Sequence, residues 1–327
     1  MRPPGGGGRL SCIPPAARGA RTPLVARERP ELVPLSLAQQ RMWFLNRFDN
    51  RTAVNNIPVA LRLTGELDVA ALGAAIRDVL ARHEALRTVY PEVEGTGYQR
   101  VLPVGEVGFD LVAESVGAHE LPARVVELAS VGFDVTTEIP FRASLLAVSA
   151  IEHVAVLVVH HISADGFSLR PLLRDVVLAY TERARGEVPS WAPLEVQYAD
   201  YALWQREVLG AEDDADSVAA RQIAYWTDQL RDLPDQIELP SDRPRPEIAS
   251  NAGGTHNFSV DAQVHEALAE LARARGVTLF MVVHAALAVW AGRLSGSTDV
   301  GGGAPRAGGR AARPAPSRGE VGRKHGV

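Results

Sequence analysis

A single cysteine, Cys12, stands in a chain of 327 residues. One thiol can build neither a disulfide framework within the chain nor a cysteine-based metal site. The shortage suits a reducing cytosol. Lysine is almost missing too: Lys324 is the only one, so arginine carries nearly all the positive charge. Long hydrophobic runs are also lacking. The longest apolar helical stretch, Thr278–Trp290, is too short to span a bilayer and contains His284. The N-terminus has arginines, but proline and glycine break every apolar run there, so it does not read as a signal peptide. The expected location is cytoplasmic.

What the chain does have is enough apolar residues, 46%, for a sizeable core in one large or two medium domains. The net charge of -5 is unevenly spread. Residues 1–30 carry six Arg and one Glu, and residues 301–327 carry five Arg, one Lys and one Glu. Each end is therefore +5, which leaves −15 for residues 31–300. An acidic body argues against nucleic acid and anionic membranes as partners. Both ends are rich in Gly, Pro, Ala and Arg without aromatics and read as disordered.

Ser36 is a plausible N-cap with Gln39 at the capping-box position, opening a helix that carries Trp43, Phe44 and Leu45. Ile57–Thr64 alternates as a strand with Ile57, Val59, Leu61 and Leu63 on one side. Asp68 caps a helix that leads into Arg82–Thr88 and a strand at Val89–Tyr90. Further on, the pattern predicts a helix over Glu120–Ser130 and a strand over Ala143–Ser149. The next strand, His153–His160, is apolar on both faces, as in the middle of a covered sheet. A helix over Ser168–Tyr180 presents Leu169, Leu172, Leu173, Val176, Val177 and Tyr180 as one stripe. Later helices are expected from Gln197, over Arg221–Leu230, over Asp261–Arg275 and over Thr278–Leu294, with a strand at Thr255–Val260.

The stretch Val158–Ser168 holds the most suggestive chemistry. Polar groups between a buried strand and a helix are costly unless partnered. Strand alternation places His160 with Val154, Val156 and Val158, and His161 in the opposite row. The two imidazoles therefore cannot do the same job. Asp165 reads as a helix cap or the partner of an arginine. Gly166 permits a tight bend or positive φ, and the backbone N–H groups of residues 166–168 could stabilise an oxyanion.

His160-His161-Ile-Ser-Ala-Asp165-Gly166 resembles the HHxxxDG signature of condensation domains of non-ribosomal peptide synthetases and their chloramphenicol-acetyltransferase-like relatives. Three further stretches resemble motifs of the same family, in the same order: Ser36–Leu45, Arg82–Thr88 and Tyr198–Trp204. The resemblance covers about Pro34 to Val300. It implies an α/β (α+β) fold, a chloramphenicol-acetyltransferase-like sandwich of two lobes. It also implies an amide-forming enzyme. A donor aminoacyl or peptidyl thioester would be attacked by an acceptor amine, each carried on the phosphopantetheine arm of a carrier protein, with no cofactor held by the domain itself. The implied partners are donor and acceptor peptidyl carrier proteins and neighbouring synthetase modules.

By position, His161 matches the family's proposed base or amine-positioning group, His160 its first histidine, Asp165 its structural acid and Gly166 its possible oxyanion donor. Asp165 calls for a cation, and Arg82, Arg87 and Arg142 are the candidates. Trp204 joins them as a structural or positioning residue. The expected division is a leader or linker at 1–30, a first lobe at 31–187, a partial second lobe at 188–300 and an out-of-frame, disordered tail at 301–327. A truncated, catalytically silent remnant that at most binds carrier proteins is the alternative function. An epimerisation domain or free-standing acyltransferase shares the heptad but fits the Ser36–Leu45 and Arg82–Thr88 motifs less well.

Overall fold

The computed structural model describes residues 22–247, 254, 256–297, 299–302 and 317–318. Two compact units divide the chain, meeting at Gly210 and Ala211. The first unit thus runs past the lobe boundary expected at residue 187.

A four-stranded sheet organises the first unit. Its strands are β2 (Asn56–Thr64), β6 (Ala113–Ser115), β7 (Phe141–Ser149) and β8 (Glu152–His160), in the order β2-β8-β7-β6. β8 lies antiparallel between β2 and β7, with Asn56 opposite His160 and Ile57 opposite Val159. β6 joins the edge in parallel with β7. The residues of β8 from His153 onward are buried, which is what the two-sided apolar run requires.

Each row of β8 feeds a separate core. Ala155, Leu157 and Val159 pack with Leu72, Ile76, Val79 and Leu80 of α2 (Val69–Arg82) and with Leu172, Val176 and Ala179 of α4 (Leu169–Arg183). Val154, Val156 and Val158 pack with Trp43 of α1 (Leu37–Phe48), Leu121 of α3 (Leu121–Ala129), Tyr90 and Phe133. The layers are helix, sheet, helix. Burying one Val or Leu side chain contributes about 1.5–3 kcal/mol, so β8 is the energetic centre of the unit.

The capping box expected at Ser36 is present, with Gln39 completing it. A small second sheet joins β1 (Val33–Pro34), β3 (Thr88–Val89), β4 (Glu92–Val93) and β5 (Thr96–Val101). The last helix of this unit, α5, spans Tyr198–Leu209.

Several expectations need correction. Residues 22–30, placed in a disordered leader, are tied to the body: Arg29 pairs with Asp200 and Glu84, Arg27 with Glu207, and the Thr22 carbonyl accepts from Trp204. Residues 1–21, Cys12 among them, lie outside the described residues. The stripe of α4 is rotated from the one expected. Val177 is 64% exposed, whereas Asp175 is buried beside Leu172 and Val176.

The second unit holds α6 (Val218–Gln229), α7 (Ala262–Arg275) and α8 (Leu279–Ser295). Asp261 and Thr278 cap α7 and α8, and Gly276 and Gly296 close them in the left-handed conformation. The strand expected at Thr255–Val260 is not seen among the described residues: Thr255 lies outside them, and 256–260 are irregular with no ladder partner among them. Gly301–Gly302 pairs with Ser317–Arg318, so the described parts of the expected disordered tail are strands. The remainder of the tail lies outside the described residues. Among the described residues, no single helix is long and apolar enough to cross a membrane.

Candidate functional site

The end of β8 separates the two histidines, as strand alternation demands. His160 is 1% exposed and its ring meets Phe133 edge-on, with centroids 5.9 Å apart. Its Nδ1 accepts a hydrogen bond from the Ile162 backbone N–H at 3.1 Å. An imidazole that accepts at Nδ1 and is neutral carries its proton on Nε2. Neutrality is favoured: burial, and then the neighbouring His161, lower the His160 pKa to about 4. His161 is exposed, and its backbone N–H donates to the Asn55 carbonyl at 2.8 Å. The peptide units on either side of His161 are thus both tied, one to Asn55 and the other to the ring of His160. The Ser163 N–H and hydroxyl both return to the His160 carbonyl, closing the turn.

Asp165 is a cap. Its Oδ1 accepts from the N–H groups of Phe167 and Ser168 at 3.1 and 3.0 Å and from the Ser168 hydroxyl at 2.7 Å. A carboxylate at the start of α4 also complements the helix dipole. None of the three candidate arginines reaches it. Arg82 binds Asp175 at 3.0 Å and the Ala192 carbonyl, with its guanidinium over Trp191. Arg87 binds the Leu80 and Leu102 carbonyls. Arg142 binds the Val131 and Gly132 carbonyls and Glu138. Asp175, hidden on an apolar helix stripe, won Arg82 because α2 and α4 pack side by side. It also takes His83 at 2.8 Å and Arg174.

Gly166 does not have positive φ, and a Cβ there would meet nothing within 4 Å. Backbone strain therefore does not call for glycine at this position. Two of the three N–H groups expected to face an oxyanion, those of Phe167 and Ser168, are taken by Asp165. The Gly166 N–H has no hydrogen-bond partner among the described residues.

The flanking motifs meet one another instead of the histidines. Tyr198 of α5 hydrogen-bonds Ser36 at 3.0 Å, and Gln197 bonds the Arg82 carbonyl and the Glu84 N–H. Trp204 donates to the Thr22 carbonyl at 2.7 Å and lies against Tyr201. A cavity of about 370 Å³ lies among these stretches, walled by Leu86, Ser163, Ala164, Leu172, Tyr198 and Tyr201, among others. Neither His160 nor His161 lines it, although Ser163, Ala164 and Ser168 of the same stretch do. No cluster of three or more His, Cys, Asp or Glu suited to a metal ion occurs among the described residues.

Sequence reasoning missed Asn55 and Phe133. The signal for Asn55 was two polar residues, Asn55 and Asn56, directly before an alternating strand. For Phe133 there was no local signal.

A family model described as the condensation domain matches residues 30–318. The chain belongs to the condensation-domain family. The match continues past Val300, where composition alone suggests that the family pattern stops. This condensation domain is 54% identical over 280 residues to a probable non-canonical nonribosomal peptide synthetase, CymA, of Salinispora arenicola, covering 86% of this chain and 4% of that protein. It is 47% identical over 292 residues to a dimodular nonribosomal peptide synthase of Bacillus subtilis, covering 89% of this chain and 12% of that protein. The chain therefore spans a small fraction of each relative. Among solved structures, the X-domain from teicoplanin biosynthesis matches with a TM-score of 0.80 at 40% identity, over 88% of this chain and 63% of that one. The first condensation domain of the CDA synthetase matches at 0.62 and 21% identity, over 83% of this chain and 64% of that one, and shares the fold. The expected α/β sandwich of the chloramphenicol-acetyltransferase type is the fold of this chain.

Proposed function

We propose that this condensation domain forms an amide bond between two carrier-bound substrates. A donor aminoacyl or peptidyl group arrives as a thioester on the phosphopantetheine arm of one carrier protein. The α-amine of an acceptor on a second carrier protein attacks the thioester carbonyl. The C–N bond forms, the C–S bond breaks, and the proton lost by nitrogen ends on the departing thiol sulfur.

One observation carries this reading: of two adjacent histidines, one is buried with its ring accepting a backbone N–H, and the other is exposed on a backbone tied at both peptide units. An exposed imidazole can take the amine's proton as the tetrahedral intermediate forms. It can equally hold the amine in line, and positioning alone supplies large rate factors. His161 does this work and His160 holds it in place. The Gly166 N–H is the donor left over for the developing oxyanion, and open space beside Gly166 gives a substrate access to it. Neighbouring synthetase modules supply the carriers, in the cytosol.

The test is a condensation assay with two loaded carrier proteins, reading the amide product by mass spectrometry. The wild-type chain should give product, and His161→Ala should slow it by about 10²-fold or more. Normal rates in His161→Ala would sink the assignment. A second reading, a domain that binds partner proteins without chemistry, draws on the X-domain relative, which was solved in complex with OxyB. Carrier binding by the wild-type chain without any amide product would select it.

A further inference from the structure

We propose that Phe133 and Arg142 are positioning residues for the histidine pair, holding His160 so that its ring can support the peptide unit that follows His161. This rests on the reading of His161 given above. Phe133 is 1% exposed and contacts two groups. The Arg142 guanidinium lies 3.8 Å from its ring centroid, and the His160 ring meets it at an interplanar angle of 77°.

The segment that carries Phe133 has no regular structure over residues 131–134, yet side chains from three elements pin it. Arg142 of β7 binds the Val131 and Gly132 carbonyls at 3.0 and 2.7 Å. Asn56 of β2 binds the Ala129 and Val131 carbonyls at 2.9 and 2.8 Å. Asn46 of α1 binds the Phe133 carbonyl at 2.8 Å. Gly132 closes the fit: a Cβ there would stand 2.4 Å from the Asn50 carbonyl oxygen. Three successive carbonyls, of residues 131, 132 and 133, are therefore fixed by side chains and not by a ladder.

Such a clamp matters because of what His160 must do. Its Nδ1 accepts from the Ile162 N–H, and it can do so only while that nitrogen is unprotonated. Water admitted beside the ring would let it take a proton and turn Nδ1 into a donor. The peptide bearing His161 would then lose one of its two ties. The charged groups of this assembly include Arg142 and Glu138, ion-paired at 2.6 Å, and Asp134, which follows Phe133 and donates its backbone N–H to Glu138; the histidine beside His160 is His161.

The test uses the full chain labelled with ¹⁵N-histidine. Long-range ¹H–¹⁵N spectra read the tautomer and titration midpoint of each histidine. In the wild type, His160 should be the Nε2–H tautomer and stay neutral to about pH 4–5. In Phe133→Leu and in Arg142→Lys, its midpoint should rise by a unit or more. Arg142→Lys keeps the charge but loses the planar fork, and its partly exposed site makes misfolding less of a concern. In the condensation assay both variants should lower kcat by about tenfold or more at unchanged acceptor KM. Folded variants whose His160 tautomer and midpoint match the wild type would overturn the proposal. Because the spectra need no turnover, they decide it even if the chain makes no amide; a missing product counts against the reaction and not against the clamp.

Discussion

Each of the two histidines is decided by a single partner. His160 is defined by the Ile162 N–H it accepts, and His161 by the solvent it faces. The low pKa of His160, about 4, has a consequence for stability. An unfolded histidine takes its proton near pH 6.5, whereas the folded one resists until about pH 4. Between those values the unfolded state binds more protons, so stability falls as pH drops, by up to about 1.4 kcal/mol per pH unit. Urea midpoints measured from pH 7 to pH 4 should show this loss, and His160→Gln should flatten the slope. An unchanged slope in His160→Gln would place the acid sensitivity elsewhere. The separation of the two rings was legible in the sequence, since alternation along a strand is a local property. The partner of Asp165 was not: which arginine meets which carboxylate depends on how α2 lies against α4, and Arg82 went to Asp175.

Among the elements, α5 shows why the Tyr198–Trp204 motif looks the way it does. Asp200 is 2% exposed and accepts from the Gln197 N–H at 2.8 Å while pairing with Arg29 through both oxygens. Burial works to raise its pKa, but the Gln197 N–H and Arg29 outweigh burial and bring it below the usual carboxylate value. Asp200→Ala should cost about 2–4 kcal/mol, because it uncaps the helix and leaves a half-buried arginine with Glu84 alone. Ser36→Ala removes the cap bond and the partner of the Tyr198 hydroxyl, and should cost about 1–2 kcal/mol. Chemical denaturation orders the two, and equal losses would contradict this account of α5. α2 was readable from its stripe and cap, and α7 and α8 from their capping residues and closing glycines. Strands β1 and β6 were not, because two or three residues hold no period to read.

At the scale of the whole molecule, the two units differ in how they treat apolar surface. The first has two dense cores around β8. In the second, Phe258 is 80%, Phe280 63%, Leu287 56% and Trp290 55% exposed. Exposed large apolar side chains in this number mark a surface that binds something or aggregates. A fragment of residues 22–210 should therefore melt in one cooperative transition, keep the low His160 midpoint and bind the dye ANS weakly. The full chain should bind ANS strongly. A fragment without a cooperative melt would show that the first unit does not stand alone.

The pairing of β2 with β8 also sets a schedule. Asn56 and His160 are register partners, although every element from α2 to β7 lies between them in the chain. Pairings that close long loops form slowly, and on the ribosome the earlier strand must wait for the later one. Until β8 emerges, the row of Ile57, Val59, Leu61 and Leu63 has nothing to cover it from the sheet side. The turn that carries the histidines therefore cannot be built until β8 has found β2, and a nascent chain halted before β8 holds neither the middle of the sheet nor the histidine pair.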